Sequence, residues 1–272
     1  MYEAFYGLRE PPFSITPDPR FLFYSRRHRE AYDHLLYGIR RRSGFIQLTG
    51  EVGAGKTTLC RALLERLGDD VSTALVLNPM MTEIQLLRTV LRELGLSGKG
   101  NDRVRLMDRL NQFLLDELSA GRDVVLIIDE AQDLSPKLLE QVRLLSNLET
   151  DQRKLLQIVL MGQPELRRML DQHELRQLRQ RITVRYHLAS LDRRETEAYL
   201  NHRLEVAGSE TDAPRPTFSR WAVGSIHRYA GGVPRLINAV ADKTLLCGYV
   251  EARRNLGWRQ VRRAVRDLEG KS

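Results

Sequence analysis

Apolar runs alternate with helical periodicities through the first 190 residues. Short apolar, β-prone runs predict strands at 45–49, 73–78, 123–130, 155–161 and 183–188. One-sided apolar spacing predicts a helix before the first strand, from residue 26 onwards. The same spacing predicts helices between later strands, at 82–94, 103–119 and 174–181. The run at 123–130 is apolar without alternation, which is typical of a strand buried on both faces of a parallel sheet. The pattern predicts an α/β body over residues 26–190, with a parallel sheet sandwiched by helices.

The two ends of the chain differ from this body. Residues 1–25 hold Pro11, Pro12, Pro17 and Pro19 among many aromatics, which predicts an extended surface segment. This segment and the helix after it could flank an adenine ring or simply pack against the sheet, and the two readings are not exclusive. From 191 to 272 the pattern predicts helices alone, at 192–206, 218–229, 236–247 and 257–268, with a polar loop at 208–216. We interpret this end as a small all-α lid domain.

A glycine-rich loop follows the first predicted strand. Residues 50–57 read G-x-x-x-x-G-K-T, and the strand–loop–helix order is the one that a phosphate-binding loop requires. Lys56 would reach the β- and γ-phosphates, and the Thr57 hydroxyl would hold Mg²⁺. We therefore predict ATP and Mg²⁺ as ligands. The residues predicted to bind the nucleotide here are Gly50, Glu51, Val52, Gly53, Ala54, Gly55, Lys56, Thr57 and Thr58.

Polar residues end two later strands. Asp129 and Glu130 follow an apolar run, where ligands bind in open α/β sheets. Asp129 would hold Mg²⁺, and Glu130 would polarise the attacking water as the catalytic base. Gln163 would sense the γ-phosphate or position the water, or else satisfy the backbone of a turn.

Three arginines are further candidates. Arg179 and Arg181 would serve as arginine fingers across a subunit boundary, or are solvated cations at the end of a helix. Arg235 follows the helix-breaking Gly231 and Gly232, and from the first turn of the next helix it could lean over the nucleotide.

Charge and composition narrow the partners and the compartment. The net charge is +8, so an anionic partner is possible, although scattered solvated arginines give the same total. The basic face of the last predicted helix has the same two readings. The sequence lacks a run of eighteen apolar residues, and its start lacks the apolar core of a signal peptide. Two isolated cysteines fit a reducing, cytoplasmic setting, with association at the inner membrane left open.

Read together, the motifs resemble the AAA+ superfamily of ATPases and, more narrowly, the secretion-ATPase family. That family includes component A of the general (type II) secretory pathway, and it is similar to the ATPase of mannose-sensitive-haemagglutinin pilus biogenesis. The resemblance rests on residues 6–39, GEVGAGKTTLCRALLERL, IIDEAQ, VLMGQPELR, LRQRITVRYHL and AGGVPRLIN. Secretion-type relatives continue into a membrane span and a periplasmic domain, so we expect either a short pilus-type member or a cytoplasmic portion.

The resemblance also implies roles for individual residues. Lys56 and Thr57 would be Walker A, Asp129 and Glu130 Walker B, and Arg235 the sensor-2 arginine. Arg181, with Arg179 second, occupies the finger region. Many AAA+ proteins carry Asn as sensor 1, whereas the nearest polar residue here is Gln163.

The implied function is an ATPase that works as an ATP-dependent homo-oligomer and is slow as a monomer. It would assist assembly of a secretion or pilus machine together with assembly proteins at the inner membrane. An alternative is a nucleic-acid-bound ATP switch of the transposition-regulator kind, although DNA is not the favoured partner. A third reading is an assembly scaffold that binds ATP and hardly turns it over.

Overall fold

Parallel strands form a central sheet. The computed structural model describes residues 1–16, 18–150, 153–208 and 215–271. The sheet strands are β1 (Phe45–Gly50), β2 (Val71–Val76), β3 (Asp123–Ile128), β4 (Leu156–Gly162) and β5 (Ile182–Leu188). Their order is β2-β3-β4-β1-β5, so β1 lies between β4 and β5. Leu48 of β1 pairs with Met161 on one side and with Tyr186 on the other.

Helices connect the strands and make up most of the chain after β5. In chain order they are α1 (Tyr2–Phe5), α2 (Arg26–Arg40), α3 (Lys56–Leu67), α4 (Glu83–Glu93), α5 (Arg103–Ser119), α6 (Pro136–Leu145), α7 (Pro164–Leu170), α8 (Arg176–Arg181), α9 (Arg193–Val206), α10 (Arg220–Ala230), α11 (Pro234–Val250) and α12 (Trp258–Leu268). Local sequence sets several of these starts. Thr82, for example, caps α4 through a capping box with Gln85. Among the described residues, none of the helices has both the length and the apolar character needed to cross a bilayer.

The chain divides into two units, which we call the sheet unit and the helical unit. The sheet unit comprises Arg29–Gly50 and Cys60–Leu188, and it contains all five strands of the central sheet. Its core joins apolar residues of the strands to apolar faces of the connecting helices, for example Leu126, Ile158, Leu110 and Leu139. Residues 124–128 of β3 are all buried, which is why the sequence there is apolar without alternation.

The helical unit comprises Met1–His28, Glu51–Leu59 and Ala189–Ser272. Its core includes Tyr6, Phe13 and Phe21 from the N-terminal segment. The Tyr6 hydroxyl lies 3.0 Å from the carbonyl oxygens of both Leu245 and Arg253. These buried rings pack in the core of the helical unit. Because the two readings are not exclusive, the adenine-flanking one stays a prediction.

Some local expectations were wrong. The N-terminal segment is not extended throughout, because α1 forms one helical turn before the first proline. The part after residue 192 is not helical alone, since Thr217–Phe218 and Asn255–Leu256 pair as two short parallel strands. The sequence pattern also missed α6 and α7. Each of these helices begins at a proline, α6 in the segment after β3 and α7 directly after β4. Pro17 and most of the predicted loop 208–216 lie outside the described residues.

Candidate functional site

The loop after β1 turns at two left-handed glycines. Gly53 has φ +77° and Gly55 has φ +96°, a backbone region that favours glycine. At the start of the loop, a Cβ on Gly50 would lie 2.7 Å from the carbonyl oxygen of Leu188 in β5. The loop leads directly into α3, which begins at Lys56. Because a helix start carries a partial positive charge, this backbone fits an anion such as a phosphate.

The polar side chains of the loop fit the same ligand. Lys56 is only 5% exposed, and its Nζ donates to the carbonyl oxygen of Glu51 at 3.1 Å. This bond places the ammonium group at the loop itself. Thr57 and Thr58 lie in the first turn of α3, whereas Glu51 and Val52 are exposed on the loop. A backbone cradle with a buried lysine meets the chemical requirements of a polyphosphate.

His28, which is distant in sequence, forms a hydrogen bond to the loop. His28 Nε2 lies 3.1 Å from the carbonyl oxygen of Ala54, and its Nδ1 lies 2.8 Å from Ser25 Oγ. Burial lowers the pKa of His28, although the Ala54 carbonyl and Glu195 oppose that shift. The neutral ring therefore donates to Ala54 through Nε2 and accepts from Ser25 through Nδ1. The sequence analysis missed His28, because nothing local distinguishes it from an ordinary helix histidine.

The predicted sensor-2 arginine lies beside the same loop. The Arg235 backbone N–H donates to the carbonyl oxygen of Gly53 at 3.2 Å. A Cβ on Gly53 would lie only 2.4 Å from the Cβ of Arg235, so only glycine allows this approach. Gly232 shows a similar restriction, since a Cβ there would lie 2.0 Å from the carbonyl oxygen of Leu191. The structure thus places the first turn of α11 against the loop, and the Arg235 side chain is exposed there.

In the sheet unit, the predicted polar residues meet at one edge of the sheet. β3, β4 and β1 are adjacent and parallel. Asp129 follows β3, Gln163 follows β4 and Gly50 ends β1, so the three residues lie at the same edge of the sheet. Asp129 is buried, and its Oδ1 accepts the backbone N–H of Glu130 at 2.9 Å. Glu130 itself adopts a left-handed backbone, with φ +50°. A non-glycine residue in this region is uncommon, and such outliers cluster at functional sites.

Glu130 and Gln163 belong to a hydrogen-bonded set of three side chains. Gln132 Nε2 donates to Glu130 Oε2 at 2.8 Å, and Gln163 Nε2 donates to the same oxygen at 3.3 Å. Gln132 Oε1 in turn accepts the backbone N–H of Gln163 at 3.0 Å. A Cβ on Gly162 would lie 2.6 Å from Gln132 Oε1, so the glycine makes room for this amide. Glu130 is thus fixed to the end of β4 through Gln132.

Gln132 is a residue that the sequence analysis quoted but did not assign. It is the last letter of the D-E-A-Q motif, three residues after Asp129. The motif was the only available signal, since the contact of Gln132 with the end of β4 joins residues 31 positions apart in the chain. The Gln163 side chain donates to the proposed base, whereas its own backbone N–H is bonded by Gln132. A role for Gln163 in sensing the γ-phosphate or positioning the water stays a prediction.

The donor set predicted for the metal is one hydroxyl, Thr57, and one carboxylate, Asp129. Oxygen ligands of this kind suit Mg²⁺, which in nucleotide sites takes one or two protein ligands together with phosphates and water. Among the described residues, no group of three or more His, Cys, Asp or Glu is placed to hold a metal. The chemistry of the pair fits a nucleotide-bound magnesium ion rather than a dedicated protein cage.

The two finger candidates are both bonded inside the sheet unit. Arg181 Nη1 donates to Ser146 Oγ at 2.8 Å and to Asn147 Oδ1 at 2.6 Å. Arg179 Nη1 donates to Asp171 Oδ1 at 3.2 Å. Neither arginine contacts the Glu130 set. Each would exchange a local bond for a phosphate contact if it acted on a neighbouring subunit.

Comparison with known proteins agrees with the motifs. Residues 39–170, which carry the loop, β3 and the Glu130 set, match the family model of the AAA domain. This stretch is similar to an AAA domain. The chain is also 46% identical over 271 residues to general secretion pathway protein A of Aeromonas hydrophila, which covers 99% of this chain. The resemblance predicted from the motifs is thereby confirmed. The chain spans 49% of the length of that relative.

Solved structures similar to this chain share its fold. Cdc6p of Pyrobaculum aerophilum has a TM-score of 0.69 at 15% identity, covering 94% of this chain and 70% of that one. The ORC2 protein of Aeropyrum pernix, in its ADPNP-ADP complexes, has a TM-score of 0.64 at 18% identity, covering 90% and 67%. The RuvB branch migration motor of Thermotoga maritima has a TM-score of 0.59 at 16% identity, covering 90% and 70%. The fold is that of the P-loop NTPases, as predicted.

Proposed function

We propose that this protein binds ATP with Mg²⁺ and hydrolyses it to ADP and phosphate. The observation that carries the proposal is the built loop: left-handed Gly53 and Gly55, buried Lys56 at a helix start, and braces from His28 and Arg235. A loop held on two sides is preorganised, so little ordering cost remains when a triphosphate binds.

Each residue of the site takes a distinct role in this mechanism. The loop N–H groups and Lys56 bind the β- and γ-phosphates, and Thr57 and Asp129 hold the metal. Mg²⁺ supplies neutralisation of phosphate charge when it is bound. Glu130 orients and polarises the attacking water, and the amides of Gln132 and Gln163 set the direction of its carboxylate. Holding the carboxylate in one orientation matters because small misplacements of a catalytic group cost rate.

We propose that the ATPase acts as a homo-oligomer. Neither Arg179 nor Arg181 contacts the Glu130 set, so an arginine from a neighbouring subunit would complete the charge stabilisation. Such an arginine contributes about 10³-fold or more in rate, and the isolated monomer should therefore be slow. Arg235, from the first turn of α11, would contact the nucleotide of its own subunit.

The biological role that we propose is assistance in assembling a secretion machine at the cytoplasmic face of the inner membrane. The similarity to a general secretion pathway protein supports this role, and pilus assembly is a related possibility within the same proposal. A nucleic-acid-bound switch and a poorly hydrolysing scaffold are the competing functions.

Two variants test the proposal. Lys56→Ala should abolish Mg²⁺-ATP binding in calorimetry, since it removes the buried phosphate cation. Glu130→Gln should bind ATP normally but lose about 10²-fold or more of the steady-state rate, as expected for loss of a general base. Equal ATPase rates in Glu130→Gln and wild type would rule out Glu130 as the base. They would favour the scaffold function if both rates were near zero.

Sedimentation tests the oligomer and the partner together. We expect larger species with ATP than without it, unchanged by duplex DNA. DNA binding that falls steeply with salt would favour the nucleic-acid switch. Runs with anionic vesicles would show whether the membrane surface binds the protein directly.

A further inference from the structure

The helical unit contains a concave site, which we call the tryptophan cleft. It has a volume of about 760 Å³ and lies against α9, α10 and α12. Its lining includes Arg193, Trp221, Gly224, His227, Arg228 and Trp258. Every one of these residues lies in the helical unit, outside the phosphate-binding loop. None of them is among the residues predicted to bind or hydrolyse the nucleotide.

Both tryptophans of the chain line this cleft, and both are unusually exposed. The sequence contains two Trp residues. Trp221 is 75% exposed and Trp258 is 46% exposed. Large aromatic side chains left in water gain the most when a partner covers them, and Trp and Arg are the residues that dominate binding energy at protein interfaces.

The charge of the cleft selects an acidic ligand. The described lining contains two arginines and a histidine but no Asp or Glu. The Arg193 guanidinium is held in place, because its Nη2 donates to the carbonyl oxygen of Arg220 at 3.2 Å. It lies over Gly224, where a Cβ would come within 3.2 Å of Nη2. An arginine positioned in this way can pair with a carboxylate without first losing its own freedom.

The basic character continues along α12 beyond the cleft. Arg259, Arg262 and Arg266 are exposed on this helix, at spacings of three and four residues that share one face. The Arg259 guanidinium lies over the Trp258 ring, 5.8 Å from its centroid. Because Arg259 covers one face of the Trp258 ring, a nucleic-acid base cannot stack on that face. A concave cleft also suits an inserted side chain better than the flat surface of a membrane.

We propose that the tryptophan cleft binds an acidic peptide segment of a partner protein, through one large apolar side chain flanked by carboxylates. The apolar side chain enters between the tryptophans. The carboxylates pair with Arg193 and Arg228 and continue towards the arginines of α12. Binding here does not need ATP hydrolysis, so it can be tested separately from the proposed ATPase.

Intrinsic fluorescence offers a direct readout, because Trp221 and Trp258 are the tryptophans of the chain and both line the cleft. The full chain is titrated with a short peptide that has a central Phe flanked by Glu on both sides. We expect a saturable blue shift or quench of the tryptophan emission that weakens with salt. The same peptide with Lys in place of Glu should give no change, and the peptide with Ser in place of Phe should bind more weakly.

Variants assign the binding to the cleft. Arg193→Glu and Trp221→Ala should each weaken peptide binding about tenfold or more. Arg194→Glu is the matched control, with the same charge change at the next position of α9, and it should bind as wild type does. Far-ultraviolet circular dichroism would establish that each variant is folded.

Several outcomes would overturn the proposal. One is no emission change with the acidic peptide, and another is equal weakening by Arg193→Glu and Arg194→Glu. Tighter binding of an oligothymidylate would assign the cleft to single-stranded nucleic acid. Tighter binding of phosphatidylglycerol vesicles would assign it to the membrane. An emission shift that follows protein concentration alone would assign it to a second copy of this chain.

Discussion

Gly53→Ala tests how the first turn of α11 limits the phosphate-binding loop. Gly53 has φ +77°, and an added Cβ would lie 2.4 Å from the Cβ of Arg235. Gly44 is a matched control, since it has φ +80° but no heavy atom within 4 Å of an added Cβ. Both alanines carry the cost of a left-handed backbone, whereas only the one at position 53 meets a neighbour.

The magnitudes separate the two effects. The left-handed region costs an alanine about 1–2 kcal/mol, and the stiffer unfolded chain returns about 0.4–1 kcal/mol. Gly44→Ala should therefore lower the free energy of unfolding by about 1 kcal/mol. Gly53→Ala adds an overpacking cost of about 1–3 kcal/mol. Because α11 must recede from the loop, nucleotide affinity should also fall at least about tenfold, which is about 1.4 kcal/mol.

Urea unfolding without nucleotide and calorimetry with Mg²⁺-ADP measure the two quantities. The double variant Gly53→Ala/Arg235→Gly, compared with Arg235→Gly, removes the Cβ that the alanine would meet. In that background the cost of Gly53→Ala should fall to that of Gly44→Ala. Equal destabilisation by Gly44→Ala and Gly53→Ala, or wild-type nucleotide affinity in Gly53→Ala, would refute the reasoning.

Three further predictions follow from buried polar contacts. Gln132→Ala should lower the ATPase rate about ten- to a hundredfold and leave nucleotide affinity unchanged. The exposed control Gln112→Ala should leave the ATPase rate unchanged. A wild-type rate in Gln132→Ala would show that Gln132 does not position the base. Arg203→Met removes donors to Pro12, Ser14 and Tyr199 and should cost about 2–4 kcal/mol in urea unfolding, against about 1 kcal/mol for the exposed Arg9→Met; similar costs would contradict this. Burial lowers the pKa of His28. The contribution of His28 to stability is therefore present above its ordinary pKa and is lost as the pH falls below that value. The unfolding midpoint of His28→Gln should fall less between neutral and acidic pH than that of wild type, and equal falls would exclude the effect.

Much of the fold could be read from the sequence, because its signals are local. The five apolar runs correspond to β1–β5 within a few residues, and Thr82 does cap α4. An apolar run between turn residues must be buried wherever it lies in the fold, so period and composition identify it. The order of the strands was not available in this way, since each strand pairs with neighbours far along the chain.

The candidate site divides in the same manner. The glycine loop, Lys56 and the Asp129–Glu130 pair were predicted because their spacing is itself the signal. His28, Gln132 and the requirement for glycine at position 162 were not predicted, since each depends on a contact with another part of the chain. Arginine fingers stay a prediction, because their action would lie between subunits.

The sequence by itself determined the five central strands and most of the helices, and it predicted where a phosphate would bind, since those properties depend on neighbours within a few residues. Only the tertiary structure decided which side chains brace the loop, which amides hold Glu130, and that both tryptophans share one cleft. Contacts of this kind join residues far apart in the chain, and they form only when packing brings distant elements together.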